Sequence, residues 1–311
     1  GTVARIFTGA PIPPGADAVV IQEVCTVEGE DVVVRHKPKQ GEWIRKSGED
    51  IRAKSRILER GARLTPQACG LAASVGLATL PVYRRLRVAV FFTGNELVMP
   101  GEKLPVGAIY NSNRFTIRGL LQRLGCEVDD LGIVPDSLEA TRAAFRRAAG
   151  KSDLIVTSGG MSVGEEDYVK SAVEAEGEID MWRIAVKPGK PLAFGKVGRA
   201  AFIGLPGNPV SLFVTAVVFV RPFILRRQGV TAIEPLAFPV RADFDWPKPD
   251  VRREYLRVKL NGEGGLELFP NQGSAVLTSA VFADGLVDNP ERHPIARGDI
   301  VRYIPLSELL G

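Results

Sequence analysis

Asp153-Leu-Ile-Val-Thr157-Ser158-Gly159-Gly160-Met-Ser162-Val-Gly164-Glu165-Glu166-Asp167-Tyr168 is the stretch that decides how this chain reads. Its first five residues form a short apolar run of β-formers, long enough for a buried strand and too short for a buried helix. Ser-Gly-Gly follows, where the lack of side chains lets backbone N–H groups approach a ligand closely. Three carboxylates, Glu165, Glu166 and Asp167, then stand where the next helix should begin. Bare amides ahead of a helix N-terminus make an anion site. Carboxylates in that position would repel a bare phosphate unless a divalent cation lies between them. The stretch therefore fits a phosphorylated ligand held with a metal ion. A plain strand–turn–helix corner, its acids complementing the helix dipole, fits the same residues about as well.

Outward from this corner, residues 84–229 alternate strand and helix patterns. Arg87–Thr93 reads as a strand, followed by Gly94-Asn95-Glu96. Asn113 opens a helix to Leu124 with apolar residues at helical spacing, and Gly125 caps it. A strand over 127–133 leads through Pro135-Asp136-Ser137 to a helix over 138–149. After the quoted stretch come strands at 179–186, 193–194 and 201–203. Then Gly204-Leu-Pro206-Gly207-Asn208-Pro209 feeds an apolar helix to about Arg227. Repeated units of this length predict a parallel sheet with helices on both faces. Ligands in such sheets gather beyond the carboxyl ends of the strands. The loops after 93, 134, 157, 186 and 203 all fall there.

The flanks differ. Short strands are expected at 3–7, 18–24 and 31–35, with a Pro-Gly-rich loop from Thr8 to Asp17. Residues 36–63 are densely basic, the usual mark of a solvated face; Arg45-Lys46-Ser47-Gly48-Glu49-Asp50 adds carboxylates around a glycine. Thr65-Pro66 begins a helix to about Val75. Beyond Pro235, short runs at 238–244, 253–260, 265–269 and 299–304 predict a small β domain. The division expected is 1–52 as the remainder of a β-rich domain, 53–83 as a linker or dimerisation element, 84–229 as the central domain, and 230–311 as the C-terminal β domain. The start at Gly1, without Met or signal peptide and inside an expected strand, suggests further residues upstream.

With 311 residues the chain is too long for one ordinary core. Hydrophobic residues at 45% and charged ones at 24% are globular values. The longest apolar run, Val210–Leu225, is interrupted by Arg221-Pro222 and reads as a buried helix, so no membrane span is expected. Three scattered cysteines suit a reducing cytoplasm. A net charge of only +4 and aromatics at 7%, with no basic stripe between them, argue against nucleic acid. His36 and His293 lie far from the sheet-edge loops, which argues against a histidine metal site or triad.

The loops instead pool other chemistry. Glu96, Asp136, Glu165, Glu166 and Asp167 are acidic; Arg183, Lys187 and Lys190 are basic; Thr93-Gly94 and Ser158-Gly159-Gly160 offer bare backbone. Carboxylates with a phosphate and waters satisfy magnesium. Lysines held by Pro-Gly-Lys-Pro would meet an oxyanion as point charges. Catalysis by positioning, metal and electrostatics is the reading left.

Several of these motifs occur in one order: Arg5-Ile-Phe-Thr8-Gly-Ala-Pro11, Gly48-Glu49-Asp50-Ile51, Thr93-Gly94-Asn95-Glu96-Leu97, Ser158-Gly-Gly-Met-Ser-Val-Gly164 with Asp167-Tyr168, Lys187-Pro-Gly-Lys190-Pro191, and Gly204-Leu-Pro-Gly-Asn-Pro-Val210-Ser211. Together they closely resemble the MoeA family of molybdopterin molybdenumtransferases, relatives of the gephyrin E domain, over nearly the whole chain. The resemblance implies a central three-layer α/β/α molybdopterin-binding domain of MogA type, a β-rich N-terminal domain and a small, barrel-like C-terminal β domain. It also implies a cytoplasmic homodimer with a cleft shared across subunits, and a molybdopterin adenylyltransferase as pathway partner. The implied reaction inserts molybdenum from molybdate into adenylylated molybdopterin, with magnesium-dependent hydrolysis that releases AMP. Carried over by motif, Thr8, Asp50, Glu96, Asp136, Asp167 and Lys187 are the catalytic set, with Glu96 and Asp167 on the metal. Ser158, Gly159, Gly160, Arg183, Lys190, Pro206, Pro209 and Ser274 are the binding set; Arg183 stands where some relatives carry Lys. The family's upstream Asp-Asn-Ser-Ala-Met-Asp-Gly-Tyr motif, which supplies another site carboxylate, is not in this sequence. Two alternatives are an adenylyltransferase, which resembles the central domain alone, and a gephyrin-like scaffold.

Overall fold

Prolines and short polar turns dominate the first sixty residues, and regular structure there is sparse. The computed structural model describes residues 2–160 and 168–310, and the chain divides into two compact units, Gly1–Glu59 with Leu64–Ala78 and Arg60–Arg63 with Thr79–Gly311. In the first unit, β1 (Cys25–Glu28) and β2 (Asp31–Val34) form an antiparallel hairpin behind a 3-10 turn, Gln22–Val24. No strand forms over 3–7, and 18–24 ends in that turn, so two expected strands are absent. Between them the Pro-Gly-rich stretch closes local turns, such as Ala10 N–H to the Phe7 carbonyl at 3.0 Å. Helix α1 (Pro66–Ser74) begins as expected, with Thr65 accepting from Ala68 N–H at 3.3 Å.

The second unit holds the α/β sheet. In chain order it is built from β3 (Arg87–Thr93), β4 (Leu97–Val98), β5 (Ile109–Tyr110), α2 (Ser112–Arg123), β6 (Glu127–Val134), α3 (Leu138–Ala149), β7 (Leu154–Ser158) and α4 (Tyr168–Glu176). These are followed by β8 (Gly177–Arg183), β9 (Val186–Lys187), β10 (Pro191–Val197), β11 (Ala200–Leu205), α5 (Pro209–Thr215) and α6 (Arg221–Arg227). The sheet order is β6-β3-β7-β11-β10-β8. Alternation along β3 sends Val88, Val90 and Phe92 into one apolar cluster with α2 and α5, and Ala89 and Phe91 into another with α3 and α4. That is a three-layer α/β/α sandwich.

The sheet is not wholly parallel. Strand β10 runs antiparallel to both β11 and β8. The reason is local: only Gly198 and Arg199 separate β10 from β11, and a two-residue loop can join only antiparallel neighbours. The strand expected over 179–186 also divides, because β9 leaves the central sheet and pairs in parallel with β13 of the C-terminal sheet. From α5 to α6 the helix is continuous over Pro209–Arg227, passing Arg221-Pro222 through a π turn at Ala216–Val220 rather than breaking there. Over its best 18 residues the mean hydropathy is 1.6, long and apolar enough to cross a membrane by composition, yet most of that stretch is buried inside the domain.

The C-terminal portion comprises β12 (Phe238–Arg241), β13 (Arg253–Leu260), β14 (Leu266–Leu268), α7 (Leu277–Phe282), β15 (Gly285–Asn289), β16 (Ile300–Pro305) and α8 (Leu306–Leu310). The order β12-β16-β15-β13-β14 curls until Ala242, just past β12, bridges to Leu266 in β14, giving the barrel-like closure expected. Strand β15 is missing from the sequence expectation. Its polar end, Asp288-Asn289, hides a fully buried strand, with Asp288 charge-paired to Arg253 and Arg302.

Candidate active site

Strand C-termini meet at one edge of the central sheet, and a cavity of about 780 Å³ opens there. Thr93, Gly94 and Glu96 reach it from β3, Asp136 from β6, Ser158, Gly159 and Gly160 from β7, and Pro206 to Pro209 from β11. Ile109 to Asn113 close a side wall, Pro191 lies at the start of β10, and Ala275 comes from the turn before α7. Seven of the expected site residues are thus brought together: Glu96, Asp136, Ser158, Gly159, Gly160, Pro206 and Pro209.

Local chemistry explains the shape. Gly159 and Gly160 both have positive φ, +94° and +62°. A Cβ on Gly159 would run into the Thr93 carbonyl, and one on Gly160 would lie 2.9 Å from Thr93 Oγ1. Only glycine allows the turn to nestle against the end of β3. Glu96 folds back over Gly94, its carboxylate oxygens 2.7 and 2.8 Å from where a Cβ would stand. Its main chain is fixed by Ile109 N–H donating to the Glu96 carbonyl at 2.8 Å, within the short β4–β5 pairing. Among the described residues the Glu96 carboxylate makes no ion pair.

Asn111, not Asn113, caps α2: its Oδ1 accepts from Arg114 N–H at 3.1 Å. Asn113 is thereby released to face the cavity. Its Nδ2 donates to Ser158 Oγ at 3.1 Å and to the Gly207 carbonyl at 2.7 Å, while Ser158 Oγ donates to the Pro206 carbonyl at 3.0 Å. The expected helix start at Asn113 gives its side chain no such role; the pair Asn111-Ser-Asn113 holds the signal, since one helix needs one cap. Thr93 Oγ1, Asn111 Nδ2 and Asn113 Oδ1, on residues lining this cavity, are buried polar atoms without a hydrogen-bond partner. On the opposite side, Asn208 spends its side chain on Ser274 Oγ (3.1 Å) instead of capping α5, and Val210 N–H donates to the Ser274 carbonyl at 2.9 Å. Ser274 therefore supports the turn after β11.

Other expected site residues lie elsewhere. Lys187 does not line the cavity. On β9 its Nζ is 3.1 Å from Glu254 Oε1 and 3.3 Å from Asp250 Oδ2, and it stands 6.0 Å from the centre of the Trp246 ring. Glu254 is buried, and its other oxygen accepts from Trp246 Nε1 and from Asp250 N–H. The Arg252 guanidinium beside Asp250 holds that carboxyl far below the usual range. Lys187 is thus paired with carboxylates of the C-terminal sheet and not placed on the cavity, where its expected role would put it. Lys190 and Arg183 are exposed at the same sheet edge, and among the described residues neither has a carboxylate partner. Lys190 immediately precedes the cavity-lining Pro191. Thr8 and Asp50 are exposed residues of the first unit. Asp167, with Glu165 and Glu166, lies outside the described residues.

A cavity at the carboxyl edge of an α/β/α sheet, rimmed by carboxylates, glycine amides and a proline-bounded turn, suits a phosphorylated ligand. Residues 89–226 match the family model described as a probable molybdopterin binding domain, 1–76 match the MoeA N-terminal region (domains I and II), and 239–306 match the MoeA C-terminal region (domain IV). The molybdopterin molybdenumtransferase of Haemophilus influenzae is 41% identical over the whole of this chain and 78% of its own length. The chain belongs to the molybdopterin molybdenumtransferase (MoeA) family. A molybdopterin molybdenumtransferase 2 from Mycobacterium tuberculosis is 35% identical over 93% of this chain and 73% of its own length. A solved MoeA protein from Pyrococcus horikoshii superposes with a TM-score of 0.77 at 32% identity, covering 96% of this chain and 74% of its own. MoeA domains on either side of the central one set this member apart from adenylyltransferases, which the sequence likened to that domain alone.

Proposed function

We propose that this chain is a transferase of molybdenum cofactor biosynthesis that inserts molybdenum from molybdate into adenylylated molybdopterin and releases AMP. The observation that carries this reading is the joint placement of Glu96, Asp136, the Ser158-Gly159-Gly160 turn and the Pro206–Pro209 turn on one cavity. Backbone N–H groups of the glycine turn would hold phosphate oxygens. The turn after β11 and the start of the helix it feeds would receive molybdate, with Lys190 and Arg183 adding positive charge at the edge.

Magnesium is part of the proposal. Glu96 and Asp136 offer hard oxygen donors on the cavity. That pattern fits magnesium, which is commonly bound by one or two carboxylates plus substrate phosphate and water. When bound it would neutralise charge on the phosphoanhydride. Glu96 and Asp136 would hold it, with Asp167 as the expected third carboxylate, and would orient the water that replaces AMP on phosphorus. Among the described residues no histidine lines the cavity, and His36 is occupied by Glu42 at 2.9 Å. Proton handling therefore falls to carboxylates and water. Thr8 and Asp50, a homodimeric assembly, cytoplasmic location and cooperation with an adenylyltransferase belong to the same proposal.

Protein supplied with adenylylated molybdopterin, molybdate and magnesium should release AMP. Omission of molybdate or magnesium, or the change Asp167→Asn, should abolish release. Absence of AMP with the complete mixture would refute the reading.

A further inference from the structure

We propose that Asn113 is a positioning residue that couples the two ligand-holding turns, so that the Ser158-Gly159-Gly160 turn and the Pro206-Gly207-Asn208 turn keep one spacing. The inference rests on the reading that these turns hold the two substrates. The turns follow different strands, β7 and β11, and the ladder between those strands ends at the Ser158–Leu205 pair. Beyond that point, hydrogen bonds through Ser158 Oγ and through the Asn113 side chain bridge them. One carboxamide nitrogen carries two N–H groups, and here one points to Ser158 Oγ at 3.1 Å and the other to the Gly207 carbonyl at 2.7 Å. Ser158 then donates to Pro206 at 3.0 Å, closing a ring of polar contacts through both turns.

This arrangement selects an amide. Aspartate has the same size but no N–H, so it would set a carboxylate against the Gly207 carbonyl, which cannot donate. Asn113 is also held from behind: it occupies the second position of α2, whose start is fixed by Asn111, and α2 packs through buried Ile117, Leu120 and Leu121. The remaining atom, Oδ1, is buried and unpartnered beside the cavity, so the side chain has no competing contact that would favour another rotamer.

The test compares wild type, Asn113→Asp and Asn113→Ala. If the residue couples two subsites, the Asp variant should raise KM for molybdate and for adenylylated molybdopterin together, each by about tenfold, the scale of one or two lost hydrogen bonds. Asn113→Ala, which loses the amide without burying a charge, should raise both KM values likewise while its melting curve stays close to wild type. A role confined to folding would lower the active fraction, and so kcat, with both KM values unmoved. Amide hydrogen exchange supplies a readout independent of turnover: peptides covering 158–160 and 206–211 should exchange faster together in the Asp variant, while β3 and α3 peptides do not change. Exchange rising in only one turn, or unchanged KM for either substrate, would overturn the coupling. If wild type releases no AMP while both turns loosen in concert, the functional reading fails and the bridge stands.

Discussion

Glu96 illustrates what a single residue can carry. Its carboxylate has no counter-ion among the described residues and folds over Gly94, so its negative charge is available to a cation. Glu96→Gln should lower AMP release about a hundredfold, the scale of one lost electrostatic group at a metal site, and leave the melting temperature unchanged. Steady-state assay and thermal melting check both. Gly159→Ala should be as damaging for a different reason, since positive φ and the Thr93 carbonyl leave no space for a methyl group; loss of substrate binding in calorimetry would show it. Asp153, which opens β7 from outside the site, gives a pH signature. The bidentate Arg84 guanidinium, helped by Arg87 N–H, holds its carboxyl at about 2 instead of 3.8. A depressed carboxyl contributes stability that is complete above its unfolded pKa and lost as pH falls through the folded one. Stability should therefore decline between roughly pH 4 and 2, by about 1–2 kcal/mol once the exposure of Arg84 is discounted, and Asp153→Asn should lack that part of the slope. At this scale the glycines, Glu96 and Asp136 were legible because their chemistry is intrinsic. Lys187 was not, because a lysine's partner is chosen by whatever strand pairs beside it.

Elements position these groups through their ends. Ser137 caps α3 by accepting from Ala140 N–H at 3.3 Å, directly after Asp136, so the cap also fixes the corner that presents that carboxylate. Ser137→Ala should cost about 1 kcal/mol, measurable as a small fall in the urea midpoint. At the far end of α2, Gly125 at φ +76° and Cys126 return N–H groups to Gln122 and Leu121, the closing motif that the Leu124-Gly125 pattern implied. Helices α2 and α3 and strands β3, β6 and β7 were readable because apolar spacing and caps are local signals. Strand β15 was hidden because its buried charge is neutralised by two arginines from other strands. The antiparallel β10 was hidden because no apolar pattern records direction. Only the two-residue connection at Gly198-Arg199 does, and composition marks neither strand end that bounds it.

Across the second unit, the departure of β9 to join β13 links the site's sheet edge to the C-terminal sheet, and the Lys187–Glu254 pair seals the junction. Removing the cation leaves a buried carboxylate short of its charge partner, the costly case for ion pairs. Lys187→Met should therefore lower unfolding free energy by about 3 kcal/mol in a urea titration, and Glu254→Gln with it should recover part of that loss. A Lys187→Met protein of unchanged stability but no turnover would restore the residue to direct ligand contact. The β–α order, the glycine turn after β7, the carboxylates after β3 and β6, and through their joint motifs the family are legible along the chain, since these depend on neighbours a few residues apart. Tertiary structure decided which of those residues share a cavity, gave Asn113 its bridge between two turns, and removed Lys187 to a buried glutamate, because hydrogen bonds and ion pairs across dozens of residues depend on how strands pair and not on local composition.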